Sequence, residues 1–163
     1  MLPEPAPMTE VLDTLALDAA GFQALMGVSD AQLADLARYQ TLLAEWNAVM
    51  NLVGPATLPD FWNRHAWDSA QLLRLAPDAL TWADLGAGAG LPGLVLAILG
   101  KGVVGFHVDL VESMAKRCRF LADVVAELDL PQAAINAEFK TRACSLLAPW
   151  EVPRRWVGTK ISE

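Results

Sequence analysis

Apolar and polar positions alternate along this chain in two regimes that meet near residue 79. In the first, apolar residues recur at three- and four-residue steps, the period of a helix with one buried face. Residues 9–25 predict a short helix, broken or bent at Gly21. Ser29 or Asp30 can cap a second helix. Leu33, Leu36, Tyr39, Leu43, Trp46 and Met50 form its apolar face, up to about Asn51 and before Gly54-Pro55. Thr57-Leu58-Pro59-Asp60 resembles a capping box with proline in the first turn. A third helix is expected from there to about Leu75, with Phe61, Ala66, Leu72 and Leu73 among its apolar residues and Pro77-Asp78 as its stop.

In the second regime, short apolar runs alternate with helical stretches. Residues 80–85 read as a buried parallel strand running into glycines. Leu91, Leu94, Val95, Ile98 and Leu99 stripe a helix that Pro92 opens and Gly100 and Gly102 close. Residues 103–111 predict a second strand, and Ser113 a cap for the next helix. Cys118, Leu121, Val125 and Leu128 face one way on that helix, and Pro131 stops it. Residues 132–136 form a short third strand. This order is the opening of a doubly wound α/β sheet. The resulting division is a disordered lead (1–8), a helical portion (9–78), a cofactor-binding β-α-β-α part (79–137) and a tail without a clear period (138–163).

Composition narrows the class. The chain has 163 residues, 54% of them apolar, enough for one cored domain with a small helical attachment. Its most apolar stretch, residues 91–99, is too short to cross a bilayer. The first seven residues have neither a basic region nor a cleavage pattern, so no signal peptide is expected and the cytoplasm is the default compartment. Cys118 and Cys144 cannot build a disulfide framework or a zinc site, and Cys118 reads as a plain buried thiol. His65 and His107 belong to no ligand-spaced cluster, so no metal is expected. Residues 1–80 carry three basic and ten acidic side chains, whereas residues 81–163 carry nine of each. Phosphate neutralisation drives nucleic-acid binding, so any RNA contact must be local and come from the second half.

The strongest chemical signal is Asp84-Leu85-Gly86-Ala87-Gly88-Ala89-Gly90-Leu91-Pro92-Gly93, which leaves a strand and enters a helix. Glycines let backbone turn tightly and approach a ligand, and a helix start offers unpaired N–H groups. Glu112 closes the next strand, 28 residues after Asp84. Both carboxylates then lie on the carboxyl edge of the sheet, where ligands bind, and Glu112 can accept from both hydroxyls of a ribose. Asp109 competes for that role, but it lies three residues before Glu112. Gly88 to Gly93 also satisfies the G-x-G-x-x-G of dinucleotide sites. The acidic strand end and the earlier Gly86 favour S-adenosylmethionine instead.

The order Trp46-Asn47, Asn51-Leu52, Arg64-His65 with Asp68-Ser69, the loop ending Gly90-Leu91-Pro92-Gly93, then Leu110-Val111-Glu112-Ser113, Lys116-Arg117 and Phe120-Leu121 closely resembles the small-subunit ribosomal RNA guanine-N7 methyltransferases, the glucose-inhibited division protein B family. The resemblance runs from about Ala31 to Ala137. It implies a class I S-adenosylmethionine-dependent methyltransferase (Rossmann-like, doubly wound) fold behind an N-terminal helical portion. It implies that Gly86 and Leu91 line the cofactor, in a site that the loop reading completes with Asp84, Gly88, Gly90 and Glu112. The acceptor is then N7 of a guanine in 16S ribosomal RNA, on the RNA or the small ribosomal subunit. Guanine N7 has a free lone pair, so transfer needs alignment rather than a general base. Arg64, His65 and Asp68 are substrate-side candidates in this reading. The plain alternative is an i,i+4 Arg64–Asp68 surface pair. Lys116, Arg117 and Arg119 can meet phosphate or form a solvated face, and Trp46, Trp62 and Trp67 read as core anchors.

The chain departs from the family after the third strand. Ala137-Glu138 matches the family's adenine-contacting pair, and Thr141-Arg142-Ala143 its later substrate-side arginine motif. Only three residues separate Glu138 from Arg142, too few for the helix and strand expected between them. The expectation is a sheet incomplete at its C-terminal side, in a truncated or rearranged relative. A non-catalytic remnant and a dinucleotide-binding oxidoreductase fragment are the competing functions.

Overall fold

A computed structural model describes residues 17–137. Expectations for residues 1–16 and 138–163, including Glu138, Arg142, Cys144, Trp150 and Trp156, lie outside the described residues. Two N-terminal helices, α1 (Ala19–Met26) and α2 (Asp30–Asn47), precede a 3-10 segment (Pro55–Asp60), a π-helical segment (Trp62–Trp67) and α3 (Asp68–Leu75). Then β1 (Thr81–Leu85), α4 (Gly93–Leu99), β2 (His107–Val111), α5 (Ala115–Glu127) and β3 (Ala133–Asn136) follow. The three strands form one parallel sheet in the order β1-β2-β3.

Several boundaries differ from the sequence expectation, each for a local reason. Gly21 lies inside α1 without breaking it, because the Asp18 carboxylate accepts the Gly21 N–H and starts the helix there. Ser29 caps α2 in a full capping box with Gln32. That helix stops at Asn47 rather than Asn51. The buried Asn47 side-chain oxygen accepts from Leu52 N (2.7 Å) and Val53 N (2.9 Å), turning the chain out of the helix. The expected capping box at Thr57 is absent, and the Thr57 hydroxyl donates to the Gly54 carbonyl instead.

The single long third helix is really three segments. Its buried side chains explain why: Phe61 and Ala66, and Trp62 and Trp67, stand five residues apart. Five-residue spacing aligns on a wide i→i+5 turn, not on an α-helix. Phe61 and Trp62 then reach Tyr39 and Phe22 in an edge-packed aromatic cluster, with ring centroids 5.4 to 5.7 Å apart. Trp62 and Trp67 are the core anchors expected of them, while Trp46 is half-buried against Phe120.

Helix α4 is buried on every side, as its uninterrupted apolar sequence requires. It lies between the sheet and helices α2 and α3. Gln32 donates to the carbonyl of Leu99 at its end, and Lys101 joins Asp35 to the carbonyl of Leu128. Strand β1 is not the fully buried strand expected. It has one strand neighbour among the described residues, and Thr81, Ala83 and Leu85 are exposed, Leu85 by 41%. Strand β2 starts at His107 rather than Val103, because residues 103–105 form a turn with Val104 in solvent. Ser113 does not cap α5. The Glu112 carboxylate takes the Met114 N–H, and the inner face of α5 centres on Phe120, Leu121 and Val124.

Replacing Asn47 with Ala leaves two backbone donors without their acceptor. The expected cost is about 1–3 kcal/mol, read as a lower urea midpoint at unchanged slope. Asn47→Asp, which keeps the acceptor, should retain most of the stability.

Candidate functional site

The glycine loop sits at the carboxyl ends of β1 and β2. Gly86, Gly88 and Gly90 have φ of 85°, 51° and 80°, the left-handed region that only glycine enters at little cost. Gly93 is needed for space. A Cβ there would strike the Leu110 side chain and lie 2.7 Å from Asp84 Oδ2.

Five of the seven N–H groups from Gly86 to Gly93 are already bonded, that of Gly93 among them, which corrects the expectation of an open helix start. Those of Gly86 and Ala87 donate to the Val111 carbonyl (2.8 and 3.0 Å), and that of Gly90 to Ala87. Gly88 donates to Glu112 Oε2 and Gly93 to Asp84 Oδ2, each at 2.9 Å. Both strand-end carboxylates thus shape the loop from beneath. Behind it, the buried Tyr39 hydroxyl of α2 donates to the Ala89 carbonyl at 2.6 Å. Tyr39 was legible only as one apolar-face residue. Its role needs a contact spanning fifty positions, for which the local sequence carries no signal.

Electrostatically the site is negative. Burial pushes the Asp84 carboxyl above its ordinary range; the Gly93 N–H opposes this, and the nearby Glu112 adds to it. Glu112 is only 4% exposed, and its nearest cation, Arg117, is 3.8 Å away. Asp109, the competing ribose candidate, lies on the opposite sheet face from Asp84 and Leu110 by register. It accepts from Asn136 (2.7 Å) and lies 3.4 Å from His107. Cys118 is half-buried, its thiol donating to the Glu112 carbonyl at 3.2 Å. Burial and Glu112 push that thiol up, away from reactivity.

The structure brings part of the helical portion to this loop. Arg64, His65, Asp68 and Ser69 line a cleft of about 310 Å³ with Leu91 and Pro92. The i,i+4 pair expected between Arg64 and Asp68 does not form, and neither makes an ion pair with any described residue. Arg64 lies in the π-helical segment and Asp68 at the first position of α3. The Thr57 hydroxyl spends its proton on the Gly54 carbonyl, so His65 Nε2 donates to it at 2.8 Å. Burial holds the His65 imidazole below its ordinary pKa, with Asp68 opposing and Arg64 reinforcing. Lys116 and Arg119, both exposed, line a separate groove with Trp46, Val49 and Met50. Ala137 follows β3, exposed, at the last described position. Among the described residues no cluster of His, Cys, Asp or Glu can hold a metal, and no helix is long and apolar enough to cross a membrane.

A parallel α/β sheet with a self-bonded glycine loop and two strand-end carboxylates defines a mixed α/β protein of a kind consistent with the methyltransferases. Residues 32–144 match the family model described as rRNA small subunit methyltransferase G. The chain is 68% identical over 130 residues to a protein named Ribosomal RNA small subunit methyltransferase G from Caulobacter sp. (strain K31), covering 80% of this chain and 58% of the relative. It is 69% identical over 121 residues to the protein of that name from Caulobacter vibrioides (strain NA1000 / CB15N), covering 74% and 56%. Against the one from Methylorubrum populi identity is 51% over 110 residues, covering 68% and 51%. The chain belongs to the rRNA small subunit methyltransferase G family, and it spans between half and three fifths of the length of these relatives.

Two outcomes test the geometry. Tyr39→Phe leaves the Ala89 carbonyl without its donor, and stability should fall by about 1 kcal/mol in chemical denaturation. For His65, the unfolded state binds a proton more readily than the folded state. Stability from this group is therefore complete above pH 6.5, its ordinary value, and declines as pH falls below it. Imidazole proton shifts in His107→Gln should place the His65 midpoint below 6.5; a midpoint above that contradicts the assignment.

Proposed function

We propose that this chain forms the cofactor-binding core of an S-adenosylmethionine-dependent methyltransferase of class I, Rossmann-like fold, acting on N7 of a guanine in 16S ribosomal RNA. One observation carries the choice of cofactor. The loop bonds five of its seven N–H groups, including the one that starts α4, and sets two carboxylates beneath itself. A dinucleotide's pyrophosphate needs free N–H groups and a positive helix end; here Asp84 occupies that end. A sulfonium cation instead meets the negative field that Asp84 and Glu112 create. The raised carboxyl of Asp84 costs stability at neutral pH, since a group held above its ordinary value stabilises only when protonated. A bound cation relieves that cost.

The remaining residues fit the same ligand. Two backbone donors occupy Glu112, one on each oxygen. A carboxylate offers about four acceptor sites, so two remain for the hydroxyls of a ribose. No Cβ lies over Gly86, and nothing fills the space where one would stand. Bound there, S-adenosylmethionine would supply an electrophilic methyl group for the N7 lone pair. The protein's task is alignment, and proximity can supply most of the rate. The names of the relatives support ribosomal RNA of the small subunit as the substrate. The exposed Lys116 and Arg119 beside Trp46 offer phosphate and stacking contacts to it.

Calorimetric titration tests the cofactor. S-adenosylmethionine should bind and NAD should not, and absence of heat with millimolar S-adenosylmethionine would sink the proposal. Asp84→Asn keeps an acceptor for the Gly93 N–H but removes the charge. It should preserve or raise the melting temperature while weakening S-adenosylmethionine binding about tenfold or more.

A further inference from the structure

Helix α5 begins just after Glu112, so its first turn stands at the carboxyl edge of the sheet. The cations of that turn divide between two places. Arg117 approaches Glu112 at 3.8 Å. Lys116 and Arg119 share one face of the helix and line a groove of about 240 Å³ with Trp46, Val49 and Met50 from the end of α2. No acidic residue lines this groove, and among the described residues neither cation makes an ion pair. Glu45 lines an adjoining cleft with Trp46 and Val49, and lies 3.9 Å from Arg38. The whole chain carries a net charge of −7, so the groove is a positive spot on an acidic protein. Its remaining wall is apolar and open. Val49 is 78% exposed, and Trp46, edge-packed on Phe120, is only half-buried.

We infer that this groove holds an unpaired nucleotide of the RNA, flanking the methyl acceptor, with its base on Trp46 and its phosphates at Lys116 and Arg119. This rests on the ribosomal-RNA reading above. Phosphate answers both cations, and every base has a face to offer the indole. Bases in a duplex are stacked on one another, so a single strand is what Trp46 can read. An acidic amphipathic helix needs a longer row of apolar anchors than the three side chains here provide. The groove shares the first turn of α5 with Arg117, which lies beside Glu112. A strand held there is on the same sheet edge as the glycine loop.

Fluorescence anisotropy of a short labelled single-stranded RNA on the full chain tests the groove. Lys116→Gln and Arg119→Gln should each weaken binding about threefold or more at low salt, and each should lower the salt slope by about 0.7, the loss of one phosphate contact. Arg74→Gln removes the same charge from an exposed position on α3 and should change neither. Trp46→Leu should cost about fivefold or more, and Trp46→Phe, which keeps a ring, about twofold or less. Inorganic polyphosphate, which has no bases, tests the same contact from the ligand side, should Trp46→Leu fail to fold. It should compete poorly, and competition equal to that of unlabelled RNA overturns the inference. Displacement of the RNA by polyglutamate at equal charge, or equal binding of duplex RNA through the same residues, also overturns it. RNA binding by wild type that neither Lys116→Gln nor Arg119→Gln alters overturns the groove alone. Wild type that binds S-adenosylmethionine but no RNA overturns the substrate reading with it.

Discussion

The hydrogen bond from Gly93 N–H to the Asp84 carboxylate holds the site together. It closes the loop across nine positions of sequence and fixes where β1 ends and α4 begins. Because Gly93 lacks a side chain, α4 can press against Leu110 while Asp84 reaches its first N–H. The same bond neutralises the helix start and leaves a negative charge at the floor of the loop. The shape of the loop and the charge at its floor thus follow from one contact. Glu112 repeats the device from the neighbouring strand, bonding Gly88 and Met114 together.

The N-terminal helices are part of this arrangement. Helix α2 delivers Tyr39 to the back of the loop, and Gln32, Asp35 and Arg38 reach the ends of α4 and α5. The aromatic cluster of Phe22, Tyr39, Phe61 and Trp62 then sets the height at which the π-helical segment meets Leu91 and Pro92. π-helical turns are rare and frequently mark functional sites. Here Arg64, in that turn, and Asp68, just after it, line one cleft.

The loop, the alternation of strand and helix, and the placing of Glu112 at a strand end were legible in the sequence because each rests on local pattern. Alternating glycines after an apolar run have few other uses, and a strand end is visible where an apolar run stops. The π-helical segment was misread as α-helix because Leu72 and Leu73 continue an α-period after it. The five-residue spacing of Phe61 to Ala66 and Trp62 to Trp67 was the signal available. The exposure of β1 could not be read, since Trp82, Leu80 and Leu85 look the same in a central strand and at an edge. The Tyr39–Ala89 bond and the double role of Asn47 depend on tertiary approach, and residue identity alone cannot show either.

The paired carboxylates also bear on turnover. Methyl transfer turns a sulfonium into a neutral thioether, and Coulomb attraction to Asp84 and Glu112 vanishes with the charge. On the methyl-donor reading, the site would tell donor from product by charge, and its acidity would favour the departure of the neutral product as well as the arrival of the cation.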